Sequence, residues 1–212
     1  MWIKICGLST PETVDVAVEA GTDAVGFVFA PGSPRAVTAE TAAALVARVP
    51  AGVETVGVFR NQSADEVVRL ARDGGVGVVQ LHGDETPEVF DEVRAAGFSV
   101  IRALGAARWS SEPQDHASAF GETRLLLDAP DPGAGSTFDE AVLGGSTPPA
   151  GWILAGGLTP ANVARLVATL EPAGVDVSSG VESSRGVKSP ALIREFIRAA
   201  RAARDAGADR SV

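Results

Sequence analysis

Cysteine and histidine are scarce: the 212-residue chain holds one Cys, Cys6, and two His, His82 and His116. A lone cysteine cannot form an internal disulfide, and with two histidines it cannot supply a thiolate zinc cluster. Basic residues are outnumbered, 18 against 27 acidic, for a net charge of −9. Nucleic acid and anionic membrane both demand a basic surface, so neither is expected as a main partner. No uninterrupted apolar run reaches the ~18 residues of a membrane span. The opening Met1-Trp2-Ile3-Lys4 lacks the charged-then-apolar layout of a signal peptide, and a cytoplasmic location is expected. No Gly-x-Gly-x-x-Gly fingerprint follows the first apolar run, which disfavours a dinucleotide fold. Hydrophobic residues, by contrast, make up 45%, enough for a large core. One domain over 1–206 and a frayed tail at 207–212 are expected.

A small unit recurs along this chain. β-Branched or apolar runs occur at Trp2–Cys6, Ala24–Phe29, Glu54–Phe59, Val76–Leu81, Ser99–Leu104, Arg124–Asp128, Trp152–Ala155 and Val175–Val177. Many follow a glycine turn: Ala20-Gly21, Ala51-Gly52, Gly74-Gly75, Ala96-Gly97 or Ala173-Gly174. Glycine suits the left-handed position that ends a helix. Thr10-Pro11, Thr86-Pro87, Thr159-Pro160 and Ser189-Pro190 each place a capping hydroxyl before a proline suited to the first helical position, and Thr38 and Ser63 resemble further caps. Eight strands in 212 residues allow 26.5 per unit, a fitting length for strand plus helix. The pattern predicts the α/β class and a single-domain (β/α)8 TIM barrel. Asp131–Ala150, rich in Gly, Pro and Ser, reads as a long loop with a short helix near Phe138–Leu143.

Barrel enzymes carry their sites at the C-terminal ends of the strands. Side-chain alternation puts Trp2, Lys4 and Cys6 together on one face of strand one and Val78, Gln80 and His82 together on one face of strand four, with Ile3, Ile5, Val79 and Leu81 toward the helices. Arg102, Asp128, Asp176 and Ser178 are the polar residues expected from strands five, six and eight. A purely structural barrel would fill these layers with aliphatic residues. Cys6 alone would read as a small buried hydrophobe; at the last position of strand one it reads as a base, its thiol lowered by nearby positive charge. Asp128 closes Leu125-Leu126-Leu127, where an unpaired carboxylate needs a partner or a task. His82 fits a rim residue or a substrate contact, His116 a surface helix. Lys4 and Asp176 are expected to pair inside the barrel.

The late glycines form a second constellation. Gly156 and Gly157 follow strand seven, and Ser179 and Gly180 follow strand eight. Backbone N–H groups in such loops make an anion nest, at the position where barrels commonly hold phosphate.

Together these segments resemble the phosphoribosylanthranilate isomerase family of tryptophan biosynthesis. The resemblance runs through Lys4-Ile5-Cys6-Gly7, Gly26-Phe27-Val28-Phe29 with Ser33-Pro34-Arg35, Val56-Gly57-Val58-Phe59 with Asn61, and Gln80-Leu81-His82-Gly83-Asp84-Glu85. It continues through Leu126-Leu127-Asp128, Leu154-Ala155-Gly156-Gly157-Leu158 with Asn162-Val163, and Gly174 to Glu182 with Gly186 and Lys188. It implies an aldose-to-ketose Amadori rearrangement of N-(5-phosphoribosyl)anthranilate. Cys6 would be the general base, Asp128 the general acid, and Arg35 a contact to the anthranilate carboxylate or a shield against water. His82 and Asp176 complete the expected substrate contacts, and Gly156, Gly157, Ser179 and Gly180 the phosphate site. No metal or cofactor is implied; the partner is a small sugar phosphate, and the chain a monomer or homodimer. Two departures stand out: Pro132 and Glu140 replace the family's Gly and Trp in the loop after strand six, and Ser189 replaces an Asp. The rival readings are a two-substrate isomerase, an indole-glycerol-phosphate synthase, for which the strand-borne lysine and glutamate pair is missing, and a silent binding barrel.

Overall fold

The computed structural model describes residues 1–111, 120–128 and 148–208. His116, the helix expected at Phe138–Leu143, Pro132, Glu140 and residues 209–212 lie outside them. Eight parallel strands close into a barrel in sequence order: β1 (Trp2–Cys6), β2 (Ala24–Val28), β3 (Glu54–Phe59), β4 (Val78–Leu81), β5 (Ser99–Gly105), β6 (Arg124–Asp128), β7 (Ile153–Ala155) and β8 (Gly174–Val177). Strand β1 closes the ring, with Lys4 opposite Ala24 on one side and Asp176 on the other. Strand β4 starts later than expected because the Val76 N–H donates to Ala71 at the preceding helix end.

The helices are α1 (Pro11–Glu19), α2 (Ala39–Val46), α3 (Ala64–Asp73), α4 (Pro87–Ala95), α5 (Ala106–Ser111), α6 (Val163–Leu170) and α7 (Pro190–Ala208). Hydroxyl oxygens of Thr10, Thr38, Ser63 and Ser189 accept from the N–H groups of Thr13, Thr41, Glu66 and Leu192, satisfying donors that a helix start leaves unpaired. Thr86 stands at the start of α4 without such a bond. Thr159-Pro160 does not open a helix. The Thr159 N–H donates to Asn162 Oδ1 at 2.8 Å, which holds a turn there and delays α6 to Val163. Gly174 also departs from expectation. The left-handed residue ending α6 is Glu171, at φ 47°, whereas Gly174 opens β8, where a Cβ would come 2.9 Å from the Trp2 carbonyl oxygen.

Helix α7 runs two residues beyond the expected domain limit and packs between α6 and α1. Arg201 bridges the seam, donating to the Met1 carbonyl at 2.8 Å and to Asp23 at 2.7 Å. No helix among the described residues is long and apolar enough to cross a membrane.

Alternation along the strands separates two cores. Ile3, Ile5, Val25, Phe27, Val79 and Leu81 face the helices, while Ala24, Val56, Val78, Ile101, Leu126 and Ile153 fill the barrel interior. Arg102 falls on the helix side, between Val100 and Leu104, with its guanidinium 3.6 Å from the Phe120 ring centroid. It is therefore not a site residue, and the sequence expectation is corrected by one step of strand parity.

Candidate active site

A cavity of about 890 Å³ opens at the C-terminal mouth of the barrel, and Cys6, Arg35, His82, Asp128 and Asp176 all line it. Gly156, Gly157, Ser179 and Gly180 line the same cavity. The nine residues singled out in the sequence thus converge on one space.

Cys6 ends β1 and is buried. Its room comes from β2, where a Cβ on Gly26 would stand 3.1 Å from Sγ and 3.0 Å from the Lys4 Cε. Lys4, one inward step deeper, is fully buried and donates to both Asp176 oxygens at 3.0 Å. Burial disfavours the ammonium, but Asp176 and Cys6 outweigh it and hold Lys4 protonated. For Cys6 the net direction is the reverse of expectation. Burial pushes the thiol above its ordinary value; Lys4 and Lys188 pull it down without overcoming that push, and Asp176 adds to it. Asp176 meets the cavity with both oxygens already engaged by Lys4, so the expected ion pair is its principal contact.

Asp128 ends β6 across the mouth. Its Oδ2 lies 3.5 Å from His82 Nε2, and its Oδ1 is buried with no hydrogen-bond partner among the described residues. A buried carboxyl oxygen left this way suits a ligand that donates to it.

Arg35 is held at the cavity wall by an ion pair. Its Nε and Nη2 form a bidentate pair with Glu182 at 2.6 and 2.9 Å. Glu182 also accepts from Lys188 Nζ at 2.9 Å and from the Gly186 N–H at 3.0 Å. This tie uses one edge of the guanidinium, leaves Nη1 outside the pair and holds Arg35 at the cavity wall. Glu182 is legible only as a motif residue, since its partner Arg35 lies 147 positions away in sequence. Burial opposes the Glu182 charge, but Arg35, Lys188 and Gly186 prevail and hold its carboxyl at about 2, against an ordinary 4.5. Its folded value lies below its unfolded one, so its contribution is present above about pH 4.5 and lost as pH falls toward 2. Denaturant unfolding between pH 6 and 3 should therefore show a shallower acid-side loss of stability in Glu182→Gln than in the parent. Equal slopes would refute the linkage.

The loops after β7 and β8 touch each other. A Cβ on Gly180 would overlap the Leu158 carbonyl oxygen, so only glycine lets the two backbones meet there. Ser179–Val181 forms one 3-10 turn, and the N–H groups of Gly157, Ser179 and Gly180 have no acceptor among the described residues. Asn162 braces this rim by donating to the Gly157 carbonyl at 2.9 Å. Uncommitted N–H groups lining a cavity suit an anion.

The opposite rim is built by an interlock that the sequence did not disclose. Asn61, left-handed at φ 59°, and Gly83 donate their N–H groups to the two oxygens of Glu85, each at 2.8 Å. The Asp84 N–H donates to Asn61 Oδ1 at 2.7 Å, and a Cβ on Gly83 would overlap that oxygen. This clasp fixes the residues just before it, Arg60 and His82, both of which line the cavity. Among the described residues no group of three or more His, Cys, Asp or Glu is placed to hold a metal ion.

A closed (β/α)8 barrel with a thiol, a carboxyl group and a rim of free N–H donors in one mouth has the form of a barrel enzyme working by acid–base chemistry on a small anionic substrate. Comparison with known proteins is specific. Residues 3–199 match the family model described as N-(5'phosphoribosyl)anthranilate (PRA) isomerase, and the chain belongs to this family. It is 44% identical over 197 residues to the N-(5'-phosphoribosyl)anthranilate isomerase of Deinococcus radiodurans, covering 92% of this chain and 94% of that one. The crystal structure of TrpF from Jonesia denitrificans superposes with a TM-score of 0.83 at 44% identity, covering 96% of this chain and 98% of that one. A phosphoribosyl anthranilate isomerase solved with reduced 1-(o-carboxyphenylamino)-1-deoxyribulose 5-phosphate gives 0.81 at 33% identity, covering 95% and 99%.

Proposed function

We propose that this chain catalyses the Amadori rearrangement of N-(5-phosphoribosyl)anthranilate to 1-(2-carboxyphenylamino)-1-deoxyribulose 5-phosphate, a step of tryptophan biosynthesis, with Asp128 as acid and Cys6 as base. The observation that carries the assignment of roles is the pairing, across one mouth, of a carboxyl group with an unpartnered buried oxygen and a buried thiol beside Lys4. Asp128 protonates the furanose ring oxygen, the C1–O bond breaks, and an iminium forms between C1 and the anthranilate nitrogen. Cys6 as thiolate removes the C2 proton, and the electron pair moves into the iminium to give an enolamine. The C2 hydroxyl proton then passes to Asp128 and the Cys6 proton to C1, which makes the ketone and restores both groups. The iminium is the electron sink, so the sequence of steps is complete with these residues.

The phosphate is assigned to Gly156, Gly157, Ser179 and Gly180, whose rim carries the free N–H groups. Anchored there, the substrate is oriented against Cys6 and Asp128, the type of positioning that removes much of the entropic barrier. The relative solved with the reduced product binds a molecule with this same phosphate and carboxylate, which supports the reading. The working form is a monomer or a homodimer. A free catalytic thiol suits a reducing compartment, and the cytoplasm is the proposed location.

The deciding experiment follows loss of N-(5-phosphoribosyl)anthranilate on addition of the purified protein. Conversion to the ketose is expected. Binding without conversion above the uncatalysed rate would leave a silent binding barrel and overturn the reading.

A further inference from the structure

Nine polar or charged side chains are buried among the described residues, and eight of them have partners. Gln80 is the exception. It is 1% exposed, its Oε1 is buried without a partner, and its amide makes no hydrogen bond to any described residue. Burying a primary amide in this way opposes folding, so it persists where a ligand completes it.

Its place narrows the ligand. Gln80 lies on the inward face of β4, paired in register with Val58 and Ile101, one step deeper than His82. It lines the mouth cavity. The interior below the mouth is otherwise apolar, with Val56, Val78, Ile101, Leu126 and Ile153, except for Lys4 and Asp176, which are committed to each other. An amide offers one donor and one acceptor side by side. A vicinal diol offers the complement, one hydroxyl accepting from Nε2–H and its neighbour donating to Oε1. We infer that Gln80 is a substrate-binding residue that grips adjacent hydroxyls of the pentose. This rests on the reading of the substrate as a pentose phosphate. With the phosphate at the β7–β8 rim, the sugar spans the mouth between Cys6 and Asp128, and its hydroxyl face turns toward the barrel floor. The grip at Gln80 then fixes rotation about the carbon chain and directs the C2–H bond at Cys6.

Gln80→Leu tests this, because a structural and a binding role predict opposite results. Leucine fills similar volume and removes an unpaired amide, so melting at or above the parent temperature is expected. The kcat/KM should fall by about tenfold or more, the loss expected when a site built for a hydroxyl can no longer bond it. Binding is compared for the reduced product and for N-(5-phosphopentyl)anthranilate, which carries an alkyl chain in place of the polyol. The variant should lose about tenfold for the first and nothing for the second, with inhibition by inorganic phosphate unchanged. Equal losses for both ligands, or kcat/KM within twofold of the parent, would overturn the assignment. Gln80→Met repeats the measurement should the leucine variant fold poorly. A parent that shows hydroxyl-dependent binding without turnover would sink the proposed function and keep Gln80.

Discussion

Replacing Cys6 with alanine is expected to lower kcat at least about a hundredfold, the low end for loss of a positioned general base, while product affinity stays within a few-fold. The thiol sits among Val28, Ala30 and Val58, an apolar lining that tolerates its truncation. What alanine removes is the group proposed to take the C2 proton. Burial drives that thiol above its ordinary 9.0. A more basic thiolate removes a carbon-bound proton more readily, and it is populated only as pH rises. The parent kcat/KM should therefore climb on the alkaline side, and Cys6→Ala should lose that climb. Near-normal turnover in Cys6→Ala, with a preserved pH profile, would move the base elsewhere, and His82 is the next residue in the mouth able to act.

Asp128→Asn carries an effect of the same order. The amide keeps the shape and the contact toward His82 but has no transferable proton, so ring opening should fail while substrate still docks. A fall in kcat of at least about a hundredfold is expected, with KM or product affinity little changed. The measurement is steady-state turnover with a pre-steady-state check that chemistry limits the rate. If Asp128→Asn retains more than a tenth of parent kcat under that condition, Asp128 is not the acid. His82→Gln separates the two residues further, since loss of a neighbour 3.5 Å away should cost less than loss of the proposed acid itself.

The sequence shows the barrel plainly because its cues are local. A capping hydroxyl, a proline and a two-residue alternation each act within a few positions, and they place Cys6, His82, Asp128 and the late glycines on one rim. Arg102 shows where that logic runs out. Strand β5 is apolar on both faces, through Val100, Ile101, Ala103 and Leu104, so alternation does not reveal which side the arginine takes. Arg35 and Glu182 stand 147 positions apart, and no local signal joins them. The direction of the Cys6 shift is hidden from the sequence for a related reason. Lys4 is visible two residues away, whereas the burial that outweighs it is a property of the closed barrel. Gln80 could be placed on the inward face from the sequence, but its lack of a partner is a fact of its neighbours.

The clasp around Glu85 bears on how such a mouth can be remodelled. Its carboxylate serves the loop after β3 and the loop after β4 at once, and only glycine is tolerated at 83, because the backbone there passes over the Asn61 side chain. These two loops are therefore a single cassette. A graft that carries residues 60–62 without 83–85 would orphan backbone donors on one side and collide on the other. In this barrel the unit of loop exchange is the interlocked pair.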